Sequence, residues 1–96
     1  MADERFLYVE ILRAIHKKGE DRLDRVEEEE LSHEIRFSTD SLLSSMDPGV
    51  RKYEQTIRDL LHRMVRAGVL SGSPAQYLTT PKFEKEYEAK VVEHIA

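Results

Sequence analysis

The sequence predicts a mostly helical, α+β domain in which a helical bundle carries a two-stranded β-hairpin and an added C-terminal helix. Apolar residues recur at helical spacing in three long stretches, residues 3–18, 48–67 and 82–95. Between the last two, Val69-Leu70 and Gln76-Tyr77-Leu78-Thr79-Thr80 flank a small polar segment, which is the pattern of a hairpin. The chain has 96 residues, enough for a single domain over residues 1–96 with one core and no deep enclosed cavity.

The first helix is expected over residues 3–18. Leu7, Ile11 and Ile15 recur at i+4, flanked by Phe6, Tyr8 and Leu12. Acids at its start and Lys17-Lys18 at its end both suit the helix dipole, and Gly19 offers a stop. Residues 20–25 read as a charged connector. A second helix is expected over residues 26–36, with Leu31 and Ile35 facing the core and Phe37 near its end. Ser38, Thr39 and Asp40 form a capping cluster ahead of a short helix containing Leu42, Leu43 and Met46.

Asp47-Pro48-Gly49 then starts a long helix, because Asp caps and Pro fits the first helical position. Over residues 48–67, one flank holds Val50, Tyr53, Ile57, Leu60, Leu61, Met64 and Val65. The other holds Arg51, Lys52, Gln55, Thr56, Arg58, Asp59, His62, Arg63 and Arg66. Gly68 ends it. Ser71-Gly72-Ser73-Pro74 reads as the loop of the hairpin, and Pro81 opens a last helix with Phe83, Tyr87, Val91 and Ile95 at strict i+4 spacing.

Hydrophobic residues make up 40% and charged residues 35% of the chain, as in a globular protein with a heavily charged surface. There is no cysteine, which excludes disulfides and thiolate metal sites and fits a cytoplasmic setting. The first five residues carry acids and lack an apolar core segment, so they do not read as a signal peptide, and no apolar run is long enough to span a bilayer. The net charge is −4, yet it is unevenly spread. Residues 20–34 carry a net −6 and residues 51–66 a net +3.

The stretch from Ile57 through Arg58, Asp59, Leu60, Leu61, His62, Arg63, Met64, Val65, Arg66, Ala67 and Gly68 to Val69-Leu70 resembles the recognition helix and first wing strand of the winged helix-turn-helix superfamily. Tyr77-Leu78-Thr79-Thr80-Pro81-Lys82 is similar to the returning wing strand and the start of a C-terminal helix. Together, over about residues 50–90, they resemble the small transcriptional regulators of the PadR and MarR type. Two features depart from that pattern. Phe83 follows Lys82 where these regulators usually have Gly, and residues 37–49 read as a long insertion before the recognition helix.

The resemblance implies a DNA-binding transcriptional regulator that acts as a homodimer; the stripe Phe83, Tyr87, Val91 and Ile95 either pairs with its twin in that dimer or packs back on the first helix. In a major groove, Arg pairs with guanine edges and Gln with adenine. Arg51, Gln55, Arg58 and His62 would approach bases, Lys52, Thr56, Arg63 and Arg66 lie on the neighbouring stripe, and Ser73 in the wing would touch backbone phosphate. The alternative is a winged helix that contacts another protein and no DNA, favoured by the acidic balance and the residue 37–49 insertion. Which holds depends on whether Arg51, Arg58 and Arg63 face solvent or are neutralised by Glu27, Glu28, Glu29 and Glu30. That acidic run is ordinarily a solvated surface, and otherwise a dock for a basic partner. His33 at i+4 from Glu29 makes at most a weak metal site, so no metal or cofactor is expected. No nucleophile elbow, phosphate loop or dinucleotide fingerprint is present, so no enzyme is expected.

Overall fold

The structure, a computed structural model, describes residues 3–23 and 34–93. It is mostly helical with a small three-stranded antiparallel sheet. The elements run α1 (Glu4–Leu23), β1 (Arg36–Phe37), α2 (Thr39–Ser45), α3 (Pro48–Arg51), α4 (Glu54–Arg66), β2 (Leu70–Ser73), β3 (Gln76–Thr79) and α5 (Pro81–Tyr87). A π-helical turn, Glu88–Val92, continues α5.

Helix α1 starts where Asp3 caps it, its carboxylate accepting from the Arg5 backbone N–H at 2.9 Å. It does not stop at Gly19. It runs four residues further, into the segment expected to be connector. Gly19 serves close approach instead, since a Cβ there would lie 2.6 Å from the Ile35 Cδ1. Leu7, Ile11, Leu12 and Ile15 are all fully buried, as the i+4 pattern requires.

The helix expected over residues 26–36 falls mainly outside the described residues. Its end is corrected: Arg36–Phe37 is strand, pairing antiparallel with β3 in the register Arg36 to Leu78 and Phe37 to Tyr77. Ile35 and Phe37 are buried with Arg36 exposed between them, which is strand alternation. The hairpin is therefore part of a sheet in the order β1-β3-β2, with β3 central. Ile35 is tied to the buried Thr79 twice. Its N–H donates to the Thr79 hydroxyl at 2.9 Å, and its carbonyl accepts from the Thr79 N–H at 3.0 Å.

Residues 37–49, expected as an insertion, form regular elements that belong to the core. They contain the end of β1, helix α2 and the start of α3. Ser38 caps α2 by accepting from the Ser41 N–H, and Leu42, Leu43 and Met46 enter the same core as α1. Thr39 also fastens the hairpin, since its N–H and its hydroxyl both donate to the Pro74 carbonyl, at 2.9 and 3.2 Å.

The long helix expected over residues 48–67 is broken. Asp47 caps the single turn α3, which ends at Arg51, and Tyr53 at ψ 36° leaves the helical region before α4 begins. Helix α4 buries Ile57, Leu60, Leu61 and Met64. It ends as expected around Gly68, whose φ is 79°. The Gly68 N–H donates to the Val65 carbonyl and the Val69 N–H to the Met64 carbonyl, the two bonds of a Schellman stop.

The Thr80-Pro81-Lys82 segment fastens that stop to α5. The Thr80 hydroxyl sits against the Gly68 and Val69 carbonyls, Pro81 opens α5, and the Lys82 ammonium donates to the Ala67 carbonyl at 3.1 Å. A cation at the carbonyl end of α4 is also well placed against its dipole. Strand β2 reaches further than expected, through Ser73, leaving Pro74-Ala75 as the turn.

The C-terminal stripe packs at home. Phe83 and Val91 are buried in the core, and the Tyr87 ring stacks on His16 of α1 at 4.0 Å between centroids. Tyr8 of α1 donates to Glu86 at 3.0 Å. Ile95 lies outside the described residues. Among the described residues no helix is long and apolar enough to cross a membrane.

This packing can be tested at the hairpin turn and in alkali. Gly72 has φ 94°, and a Cβ there would collide with the Gln76 carbonyl oxygen across the hairpin. Gly72→Ala should therefore lower stability by about 1–3 kcal/mol in urea unfolding. Gly49→Ala, with an ordinary φ and only the Asp47 carboxylate nearby, should cost much less. A Gly72→Ala variant as stable as the parent would contradict the described turn.

In alkali, the buried phenols matter. Burial first, then the hydrogen bond to Glu86, holds the Tyr8 phenol far above its ordinary value of 10.0; burial likewise raises Tyr77. The unfolded chain loses these protons above about pH 10 while the folded chain keeps them, so folding stability is full below that pH and falls above it. The urea midpoint should drop between about pH 9 and about pH 11, and Tyr8→Phe should shrink that drop. An unchanged drop in Tyr8→Phe would remove Tyr8 from the cause.

Candidate functional site

An amphipathic helix with one flank in the core must show the other to solvent, and α4 does so. At 100° per residue, Gln55, Asp59, His62 and Arg66 share the outward stripe of α4, all exposed. Arg58 lies on one side of that stripe and Arg63 on the other, with Thr56 half-buried beyond Arg63. The two stripes expected from a continuous helix are therefore not both present. Arg51 is the last residue of α3 and Lys52 caps it, so neither shares the α4 rotation. Both remain exposed beside the start of α4, with the Lys52 ammonium 5.3 Å from the centre of the Tyr53 ring.

Pairing changes the electrostatics more than the break does. The Arg58 guanidinium donates to Glu54 at 2.9 Å and to Asp40 of α2 at 3.3 Å. These contacts, Glu54 first, raise its pKa above the ordinary arginine value. Arg63 reaches Glu4 at the start of α1, at 3.2 and 3.4 Å. The Gln55 amide donates to Asp59 at 3.1 Å. Arg58 and Arg63 are thus neutralised at home, though not by the residue 27–30 run, which lies outside the described residues. Arg51, Lys52 and Arg66 have no carboxylate partner among the described residues.

These ion pairs are solvent-exposed, and such pairs exchange partners easily because their net stabilisation is small. Arg58 also bridges two helices, since Asp40 lies in the first turn of α2 and Glu54 in α4. Asp40 is the residue that sequence spacing could not find, since it stands 18 positions from Arg58. Ser73 is exposed at the end of β2, next to the Pro74-Ala75 turn that Thr39 holds down. The hairpin is short and docked on α2, not free-standing.

Glu29 and His33 fall outside the described residues. Among the described residues, no three His, Asp or Glu side chains gather closely enough to hold a metal ion. Compared with protein-family models, curated proteins and solved structures, the chain matches none of them.

Proposed function

We propose that the chain is a winged helix-turn-helix domain that binds duplex DNA, in the manner of a transcriptional regulator. The observation that carries this reading is the exposed polar stripe of α4, set between α2 and a hairpin whose sheet order is β1-β3-β2. A helix held this way enters a major groove with its outward stripe toward base edges. Gln55 and His62 approach the bases, Arg51, Lys52 and Arg66 hold phosphates, and Ser73 meets the backbone beside the hairpin turn. Arg58 and Arg63 join only by exchanging carboxylates for phosphate. Asp59 lies in the stripe itself and repels the duplex.

A homodimer would give such a domain two half-sites. It would need a surface other than Phe83, Tyr87 and Val91, which are occupied by α1 and the core. One observation favours protein contact as the second reading: Glu4, Asp40, Glu54 and Asp59 cancel or crowd the cations of the very face that would meet DNA.

Fluorescence anisotropy of a labelled random-sequence duplex, titrated at several salt concentrations, separates the two. Binding should weaken linearly in log–log form as salt rises. Replacing Arg51, Lys52 and Arg66 with Ala should flatten the slope by roughly one for each phosphate no longer neutralised. Asp59→Asn should tighten binding several-fold. No duplex affinity at low salt, or affinity indifferent to those three cations, would end the DNA reading and leave protein contact.

A further inference from the structure

A half-open groove of about 450 Å³ lies between the first half of α1 and the C-terminal helix, lined by Arg5, Tyr8, Val9, Glu86, Ala89 and Lys90. That volume falls within the usual range for small-molecule sites. Its lining is mostly apolar surface, with Arg5, Glu86 and Lys90 as its charged groups. Phe6 and Val92, the large apolar side chains most exposed among the described residues, belong to the two helices that form it.

The charges are arranged unusually. Glu86 and Lys90 stand four apart with the acid first, the order that ordinarily makes a surface ion pair on an α-helix. They do not pair within 4.0 Å. The π-helical turn Glu88–Val92 intervenes, so the spacing of Lys90 from Glu86 is no longer that of an α-helix, and Glu86 instead accepts from the Tyr8 hydroxyl. Neither proline nor glycine accounts for the turn, and turns of this kind are frequent at functional sites. Arg5 across the groove likewise has no carboxylate on its guanidinium among the described residues. The result is an apolar floor with two cations unpaired among the described residues and one carboxylate that keeps its charge while accepting from the Tyr8 hydroxyl.

We propose that this groove binds a small amphipathic anion, an aromatic or aliphatic carboxylate whose apolar body covers Tyr8, Val9 and Ala89 and whose carboxylate meets Lys90 and Arg5. Charge complementarity favours the anion: Arg5 and Lys90 stand against the single Glu86 carboxylate, so the lining is net positive, and a neutral analogue leaves both cations unpaired. The site is independent of the α4 stripe, so it stands whether or not the chain binds DNA.

The full chain, labelled with ¹⁵N, is titrated with 1-naphthoate and separately with the uncharged 1-naphthamide while amide shifts are followed. The carboxylate should saturate at about 1 mM or below, with shifts centred on Arg5, Val9, Ala89 and Lys90. The amide should bind at least about fivefold more weakly. Lys90→Gln and Arg5→Gln, both at exposed positions, should each weaken the carboxylate about fivefold and leave the amide unchanged. Equal binding of amide and acid, shifts centred elsewhere, no saturable shift, or indifference to both substitutions would overturn the proposal.

Discussion

Ile57, Leu60, Leu61 and Met64 are almost wholly withdrawn from water, and the rest of the domain is organised around that withdrawal. A helix of 13 residues is marginal alone, so α4 exists because its apolar flank is covered. Leu7, Ile11 and Ile15 of α1, Leu42 and Leu43 of α2 and Phe83 of α5 supply the cover in one continuous core. With that flank fixed inward, the direction of Gln55, His62 and Arg66 follows from helical geometry. The Schellman stop and the Thr80 and Lys82 contacts then fix where the chain leaves α4 and hence where the hairpin stands.

Elements with a strong local cause are legible in the sequence. Asp47-Pro48, Ser38 and Gly68 each act through bonds to neighbours within a few positions, and each works as its residue type predicts. The elements that sequence reasoning misses have non-local causes. Strand β1 has two residues, too short for an alternating pattern to stand out, and it exists because β3 offers an edge about 40 positions away. Gly19 reads as a stop because glycine commonly ends helices, yet its lack of a side chain is used to admit Ile35. The break at Lys52-Tyr53 carries no proline or glycine to announce it, and apolar Val50 and Tyr53 fit the same rotational pattern with or without it.

The candidate site is legible as a set of residues and not as an electrostatic surface. Counting residues gives the 51–66 segment a net +3. That count treats every arginine as free, whereas Arg63 finds Glu4 from 59 positions away and Arg58 finds Asp40 on a different helix. Charge along a sequence is additive, but the field that a phosphate meets depends on which carboxylates stand beside which guanidinium groups. The cations with most left to offer are those outside such pairs, Arg51, Lys52 and Arg66. Two of these three lie beyond the break, so their placement depends on α3 as much as on α4.

The C-terminal helix shows the same limit from the apolar side. A stripe at i+4 spacing states that a helix must cover one flank; it does not state with what. Phe83, Tyr87 and Val91 suit a second copy and suit α1 equally, and α1 is present at an effective concentration no separate chain can match. Val91 is held in the core and Tyr87 stacks on His16, and the π turn follows directly after Tyr87. That turn coincides with the missing Glu86–Lys90 pair, because an i, i+4 ion pair depends on α-helical spacing, and the turn replaces that spacing just where Lys90 stands.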